Sequence, residues 1–299
     1  MKVPPYLKKG DTIGIVCPAG FMPFEKMQQC IQTLQRWGFG VVEGKTVHSR
    51  FNYFSGTDEE RLQDLQQMMD DENVKAILCA RGGYGLSRII DAVDFTRFKK
   101  NPKWIIGFSD VTVLHAHLNK KIKVASLHAP MASAFNNGEN FFVQSLHKAL
   151  TGKKANYNCA VHALNKIGKC TGELVGGNLS IIAHLIGSSS EIDTNNKILF
   201  LEDVGEYLYN IERMLIQLRR AKKMENLCGL VIGGFTEMKD TTISFGKNVY
   251  EIIYDVIKDY NYPVCFNFPV SHTEKNYALK IGMNYQLSVT KNKVYLKEN

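Results

Sequence analysis

The run Trp104-Ile105-Ile106-Gly107-Phe108-Ser109-Asp110 is apolar until it stops at a small-residue turn carrying a serine, and Val111 to Leu118 is apolar enough to begin a helix. A serine on a tight strand-to-helix turn is pushed out at the mouth of a sheet with its hydroxyl accessible. The next amide, that of Asp110, falls at a helix N-terminus, where unpaired N–H groups and the dipole favour developing negative charge. This is the arrangement of a nucleophile beside half an oxyanion hole. The same residues also suit plain helix capping. Arg81-Gly82-Gly83-Tyr84-Gly85 ends a second apolar run, and its glycines permit close backbone approach to a ligand. It has neither phosphate-loop nor dinucleotide spacing. It therefore reads as a bare turn or, beside Ser109, as the source of a second oxyanion amide from Gly83. Glu202 and Asp203 close a third run, Lys197 to Leu201. Capping of the next helix accounts for Asp203, whereas Glu202 could orient a catalytic imidazole. His272 lies in a polar loop after an apolar segment, with Asn276 nearby.

Other chemistries have less support in the residues. There is no H-E-x-x-H and no C-x-x-C, and His115 and His117, two apart, cannot share a helix face, so no metal is expected. The seven cysteines are odd in number and widely spaced, which suits buried thiols rather than a disulfide framework. Cys17 and Cys79 sit near the turns described above, but neither has a base beside it. His128, in Leu127-His128-Ala129-Pro130, reads as a satisfied core imidazole.

The elements that must position these groups follow from periodicity. Asp11 to Cys17, Val41-Val42, Val74 to Cys79 and Trp104 to Phe108 read as strands. Between them lie helical patterns at Phe24 to Leu34, from a cap at Asp58 through Met69, and over Leu86 to Val93. Alternation of this kind implies a parallel sheet with right-handed crossovers, and its ligand site belongs at the carboxyl ends of the strands. Pro18-Ala19-Gly20, Arg81 to Gly85 and Gly107 to Asp110 should therefore share one edge. From about Leu150 the texture turns polar. The expected organisation is an α/β domain over 1–150, a linker over 151–170 and a second domain over 171–299. The latter has strands at Lys197 to Leu201, Gly229 to Ile232 and Pro263 to Phe268, helices at Leu208 to Leu218 and Val249 to Tyr260, and a terminal hairpin over Gln286 to Leu296.

The bulk numbers set outer bounds. With 44% hydrophobic and 22% charged residues, the chain is that of an ordinary globular protein. No apolar run approaches the ~20 residues needed to span a bilayer, and the N-terminus has no signal-peptide pattern, so a cytoplasmic address is expected. The net charge of +8 is scattered, and its densest run, Arg219 to Lys223, closes a predicted helix where cations complement the dipole. Neither nucleic acid nor membrane is therefore expected as a partner.

Taken in order, Gly10-Asp11-Thr12-Ile13-Gly14, Arg81 to Gly85, Gly107 to Asp110, Gly176-Gly177-Asn178-Leu179, Leu201-Glu202-Asp203, Tyr209 to Leu215 and His272 to Asn276 resemble the LD-carboxypeptidase family of serine peptidases. The resemblance spans roughly Pro4 to Leu287. It implies a flavodoxin-like parallel-sheet N-terminal domain with a smaller mixed α/β C-terminal domain. It further implies a Ser–His–Glu triad, with Ser109 as nucleophile, His272 as general base and Glu202 as the carboxylate behind it. Backbone amides of Gly83 and Asp110 would form the oxyanion hole, with Arg81 and Asn178 as substrate-binding residues. Two positions depart from the family: Ser271 stands where Gly usually precedes the histidine, and Lys280 where Pro is usual. The implied substrate is a muropeptide, the cytoplasmic murein tetrapeptide, losing its terminal D-Ala in cell-wall recycling without any cofactor; a homodimer is compatible with this. The alternatives are a microcin-immunity-type peptidase acting on aspartyl-nucleotide analogues and a non-catalytic muropeptide-binding protein.

Overall fold

Short aliphatic runs between helical stretches become buried strands. In the computed structural model, which describes residues 1–136 and 138–299, the chain divides into two units. The first comprises Met1–Lys153 with Tyr277–Lys280. Its strands β1 (Thr12–Val16), β2 (Gly40–Glu43), β3 (Val74–Cys79), β4 (Trp104–Gly107) and β5 (Ser126–His128) pair in parallel in the order β2-β1-β3-β4-β5. That is the flavodoxin-like order. Ile13, Ile15, Ile77 and Ile105 fill its core. Parallel neighbours need crossovers, supplied largely by α1 (Gln28–Arg36), α2 (Asp58–Asp70), α3 (Thr96–Lys100) and α4 (Thr112–His117), with α5 (Phe141–Leu150) following β5.

Two local expectations are corrected. Thr57, rather than Asp58, caps α2: its hydroxyl accepts from Glu60 N at 3.2 Å while Glu60 Oε2 accepts from Thr57 N at 2.8 Å. Leu86 to Val93 is two single 3₁₀ turns, Leu86–Arg88 and Ile90–Ala92, rather than a helix. The first begins where Leu86 N donates to the Asp110 carboxylate at 2.9 Å, a tertiary bond that local periodicity does not reveal.

The second unit comprises Lys154–Asn276 with Ile281–Asn299. It opens with β6 (Asn156–Cys159) and β7 (Gly168–Asn178), followed by α6 (Leu179–His184), β8 (Ile198–Val204), α7 (Leu208–Arg220), β9 (Gly229–Thr236), α8 (Val249–Ile257) and β10 (Val264–Cys265). The chain then adds β11 (Leu279–Ile281) to the first sheet beside β5, and returns as β12 (Asn284–Val289) and β13 (Val294–Glu298). The second sheet has the order β10-β9-β8-β7-β12-β13-β6. It is parallel from β10 to β7 and antiparallel from there on, hence mixed. The stretch expected as a linker over 151–170 thus carries β6 and the start of β7. Its polarity is that of an edge strand: Asn156 and Asn158 face solvent while Tyr157 turns inward.

Candidate active site

In the first unit, β4 ends at Gly107, Phe108 is extended, and Ser109 takes a φ of 62°. A serine held in the left-handed region is constrained by its surroundings, and such positions cluster at functional sites. A single turn, Ser109–Val111, then leads into α4. The buried Asp110 side chain ties this turn to the 81–86 loop through the bond from Leu86 N. Gly82 lies against the serine: a Cβ there would sit 3.0 Å from Ser109 Cβ and 3.2 Å from both Ser109 Oγ and Asp110 N. Its carbonyl accepts from Gly20 N at 3.0 Å, so the three small-residue turns do meet at one edge of the sheet. Gly83 follows at φ 94°, and a Cβ there would meet Tyr53 Oη at 2.7 Å and Gly20 Cα at 3.7 Å.

Two buried side chains hold this edge together: Arg61, which sequence reasoning did not single out, and His115, which it weighed only as a metal ligand. Arg61, on the face of α2 that buries Leu65, donates through Nη1 to Pro18 O at 2.6 Å and Gly85 O at 3.1 Å. It also pairs with Asp58 and lies over the Phe54 ring. The readable signal was a charge at an apolar helix position. His115 donates through Nε2 to Gly107 O and accepts from Ser126 Oγ, both at 2.8 Å. Burial pushes its pKa down to about 4, so the ring is a neutral strut, not a base. Cys17 is pushed up to about 12 by burial, with Asp64 adding to the effect, and burial raises Cys79 too, so neither is a thiolate nucleophile at neutral pH. Arg81 is exposed and donates to Phe21 O.

In the second unit, His272 donates through Nδ1 to Glu202 Oε2 at 2.6 Å. Glu202 is completely buried on β8, and the imidazole is 14% exposed. This bond fixes the tautomer and leaves Nε2 as the basic nitrogen. Burial of the ring disfavours the imidazolium, but the Glu202 hydrogen bond and charge outweigh it, with Asp203 and Glu237 adding to them. The His272 pKa is therefore raised. The Ser271 hydroxyl organises the loop: it contacts Thr273 Oγ1 at 2.7 Å, accepts from Thr273 N at 3.1 Å and donates to Lys275 O at 3.1 Å. Space for it comes from Gly234, where a Cβ would lie 2.5 Å from Ser271 Cβ. Lys280, the other departure, belongs to the first unit, where its ammonium donates to Lys153 O at 3.1 Å and Tyr6 Oη at 3.3 Å.

The expected capping role of Asp203 is corrected. It lies inside β8, well before α7, and accepts from Ser180 N at the start of α6 and from Asn178 Nδ2, both at 2.9 Å. Burial pushes its pKa up to about 7, with the Glu202 charge adding to this. Asn178, expected against a substrate, hydrogen-bonds within its unit: beyond Asp203, its Oδ1 accepts from Ser180 Oγ at 2.6 Å and Ile181 N at 3.2 Å.

Among the described residues, no group of three or more His, Cys, Asp or Glu is placed to hold a metal ion, and no helix is long and apolar enough to cross a membrane.

Residues 13–129 match the family model of the LD-carboxypeptidase N-terminal domain, and residues 171–287 that of the C-terminal domain. A probable murein peptide carboxypeptidase of Bacillus subtilis is 33% identical over 284 residues, covering 93% of this chain and 89% of that protein. The crystal structure of muramoyltetrapeptide carboxypeptidase from Oxalobacter formigenes aligns with a TM-score of 0.89 at 28% identity, over 96% of this chain and 98% of that one. The microcin C7 self-immunity protein MccF of Escherichia coli is 26% identical over 332 residues, covering 98% of this chain and 94% of that protein. With both domain models matched in order and a third of its residues shared with a relative along nearly its whole length, the chain belongs to the LD-carboxypeptidase family.

Proposed function

We propose that this protein is a serine L,D-carboxypeptidase that removes the terminal D-Ala from the cytoplasmic murein tetrapeptide during peptidoglycan recycling. The observation that carries the reading is the buried Glu202–His272 pair, which gives an imidazole with a fixed tautomer and a raised pKa. Ser109, on its constrained turn, is the nucleophile. His272 Nε2 takes the Ser109 proton as the hydroxyl attacks the amide carbonyl between the L-centre of the third residue and D-Ala. The amides of Asp110 and Gly83 receive the oxyanion, and His272 then protonates the leaving amine of D-Ala. Water, deprotonated by the same imidazole, cleaves the acyl-enzyme. Arg81, exposed in the same loop as Gly83, suits the terminal carboxylate, because a guanidinium can bind it through two parallel hydrogen bonds.

The purified protein is to be incubated with tetrapeptide, pentapeptide and C-terminally amidated tetrapeptide, and the products read by mass spectrometry. Release of D-Ala from the free tetrapeptide alone is the expected result. Equal cleavage of the amidated peptide would replace the reading with a general amidase, and binding without turnover would leave a muropeptide-binding protein.

A second reading rests on Tyr207 and Tyr209, shortly after Glu202, whose exposed rings stack at 5.6 Å and offer an aromatic face for a nucleobase. Hydrolysis of an aspartyl sulfamoyl adenosine, in preference to the tetrapeptide, would establish it.

A further inference from the structure

Cys159 on β6 and Cys265 on β10 have their sulfurs 3.8 Å apart. These strands stand at opposite ends of the second sheet's strand order, so the contact needs a reason. The segment after β6 folds back along β10. Lys166 and Val264 exchange both backbone N–H···O bonds at 3.0 Å, and Phe266 N donates to Asn165 Oδ1 at 2.8 Å. The two edges of the sheet are thereby drawn together, and the thiol pair marks the seam. Cys159 is half-buried and Cys265 completely buried. The hydrogen bond between them holds the Cys159 thiol below its ordinary pKa against the effect of burial, and holds Cys265 well above it. An accessible, more acidic thiol beside a buried, less acidic one is the division between an attacking and a resolving cysteine.

We propose that Cys159 and Cys265 form a redox modification site that reacts with a low-molecular-weight disulfide and ends as an intramolecular bond closing the second sheet into a ring. The Cys159 thiolate attacks one sulfur of the small disulfide. That S–S bond breaks, a mixed disulfide forms on Cys159, and the first small thiolate leaves and is protonated by solvent. The Cys265 sulfur then attacks the Cys159 sulfur and its proton passes to the departing small thiolate, so that the second small thiol leaves. In sum, the small disulfide is reduced to two thiols, and the two protein thiols are oxidised by the same two electrons. The sulfurs must close from 3.8 Å to a bond of about 2.05 Å, a distance within the swing of a cysteine side chain about χ1. A second thiol contact in this unit, Cys170 with Cys228, supplies an internal comparison, because there neither side chain spans the sheet edges. The inference does not depend on the peptidase reading.

The test treats the folded full-length protein with glutathione disulfide, quenches by alkylation, and reads intact mass and a non-reducing peptide map. The expected result is loss of the mass of two hydrogens, a linked peptide pair containing Cys159 and Cys265, and a denaturation midpoint that rises on oxidation and returns with dithiothreitol. C265S, checked for native circular dichroism, should stop with one glutathione on Cys159, and C159S should leave Cys265 unmodified. A wild-type map with Cys159 unreacted, with Cys159 carrying glutathione that Cys265 never displaces, or with Cys170–Cys228 as the linked pair overturns the proposal. The wild-type map decides even where a variant fails to fold.

Discussion

At the scale of single residues, the proposed chemistry depends on the immediate surroundings of Ser109 in the first unit and of His272 in the second. Ser109→Ala is expected to lower turnover by roughly four to six orders of magnitude while leaving the melting temperature unchanged, measured as D-Ala release. Gly82→Ala would place a methyl 3.2 Å from both Ser109 Oγ and the Asp110 amide. Steady-state kinetics should show kcat reduced about 10²- to 10³-fold, the scale of losing one oxyanion donor. His272 must be neutral to act as a base, and its pKa is raised by Glu202. The acid limb of the kcat/KM–pH profile should therefore lie above the ordinary imidazole range. Glu202→Gln removes the charge, moves that limb to lower pH and reduces kcat by about 10³- to 10⁴-fold. Ser271→Ala loosens the loop without touching the acid–base pair, so kcat should fall more than KM changes, and a pH–rate series on the variant checks both. Ser109 and Glu202 stand out in the sequence because each ends an apolar run, and His272 because it lies in a polar loop after one. The work of Ser271 does not, because its hydroxyl acts through a turn that only the folded loop creates.

At the scale of elements, the two halves of the chemistry rest on buried polar groups. Asp203 holds its proton up to about pH 7 in the fold, whereas in the unfolded chain it ionises near pH 4. Between those values the folded state carries the extra proton. This contribution to stability is thus complete below about pH 4 and is lost as pH rises through 7, to an extent of at most about 4 kcal/mol. Urea melts from pH 4 to 8 should show stability falling over that window, and Asp203→Asn should flatten the slope. Arg61 is fully buried and bonded to the turns at Pro18 and Gly85. Arg61→Ala should lower unfolding free energy by about 2–4 kcal/mol, because the Pro18 and Gly85 carbonyls lose their donor and a cavity is left in their place, whereas Asp58 keeps Arg88 as a partner. The central strands were readable from their aliphatic runs. Other features were less so: β6 is a polar edge strand, Leu86 to Val93 is bent by the distant Asp110, and the thiol contacts join residues far apart in sequence. All three depend on tertiary bonds, which periodicity does not report.

At the scale of the whole molecule, the first unit is not a continuous stretch of chain. Its sheet receives β11 beside β5 from Leu279–Ile281, long after the rest of that unit has been laid down. A fragment ending at Lys153 should therefore show a lower melting temperature and a greater tendency to associate than the same fragment supplied with a peptide covering 277–281. Equal behaviour by scanning calorimetry and light scattering would count against a structural role for that strand. During synthesis the consequence is temporal. The ribosome completes the first sheet only after nearly all of the second unit has been synthesised. From the synthesis of β5 until that of β11, β5 is an open edge with unpaired amides, a template for wrong pairing. A nascent chain of this kind gains from chaperones that shield edges co-translationally. A stalled or truncated product would expose that edge for good, which makes the late strand a checkpoint on completeness.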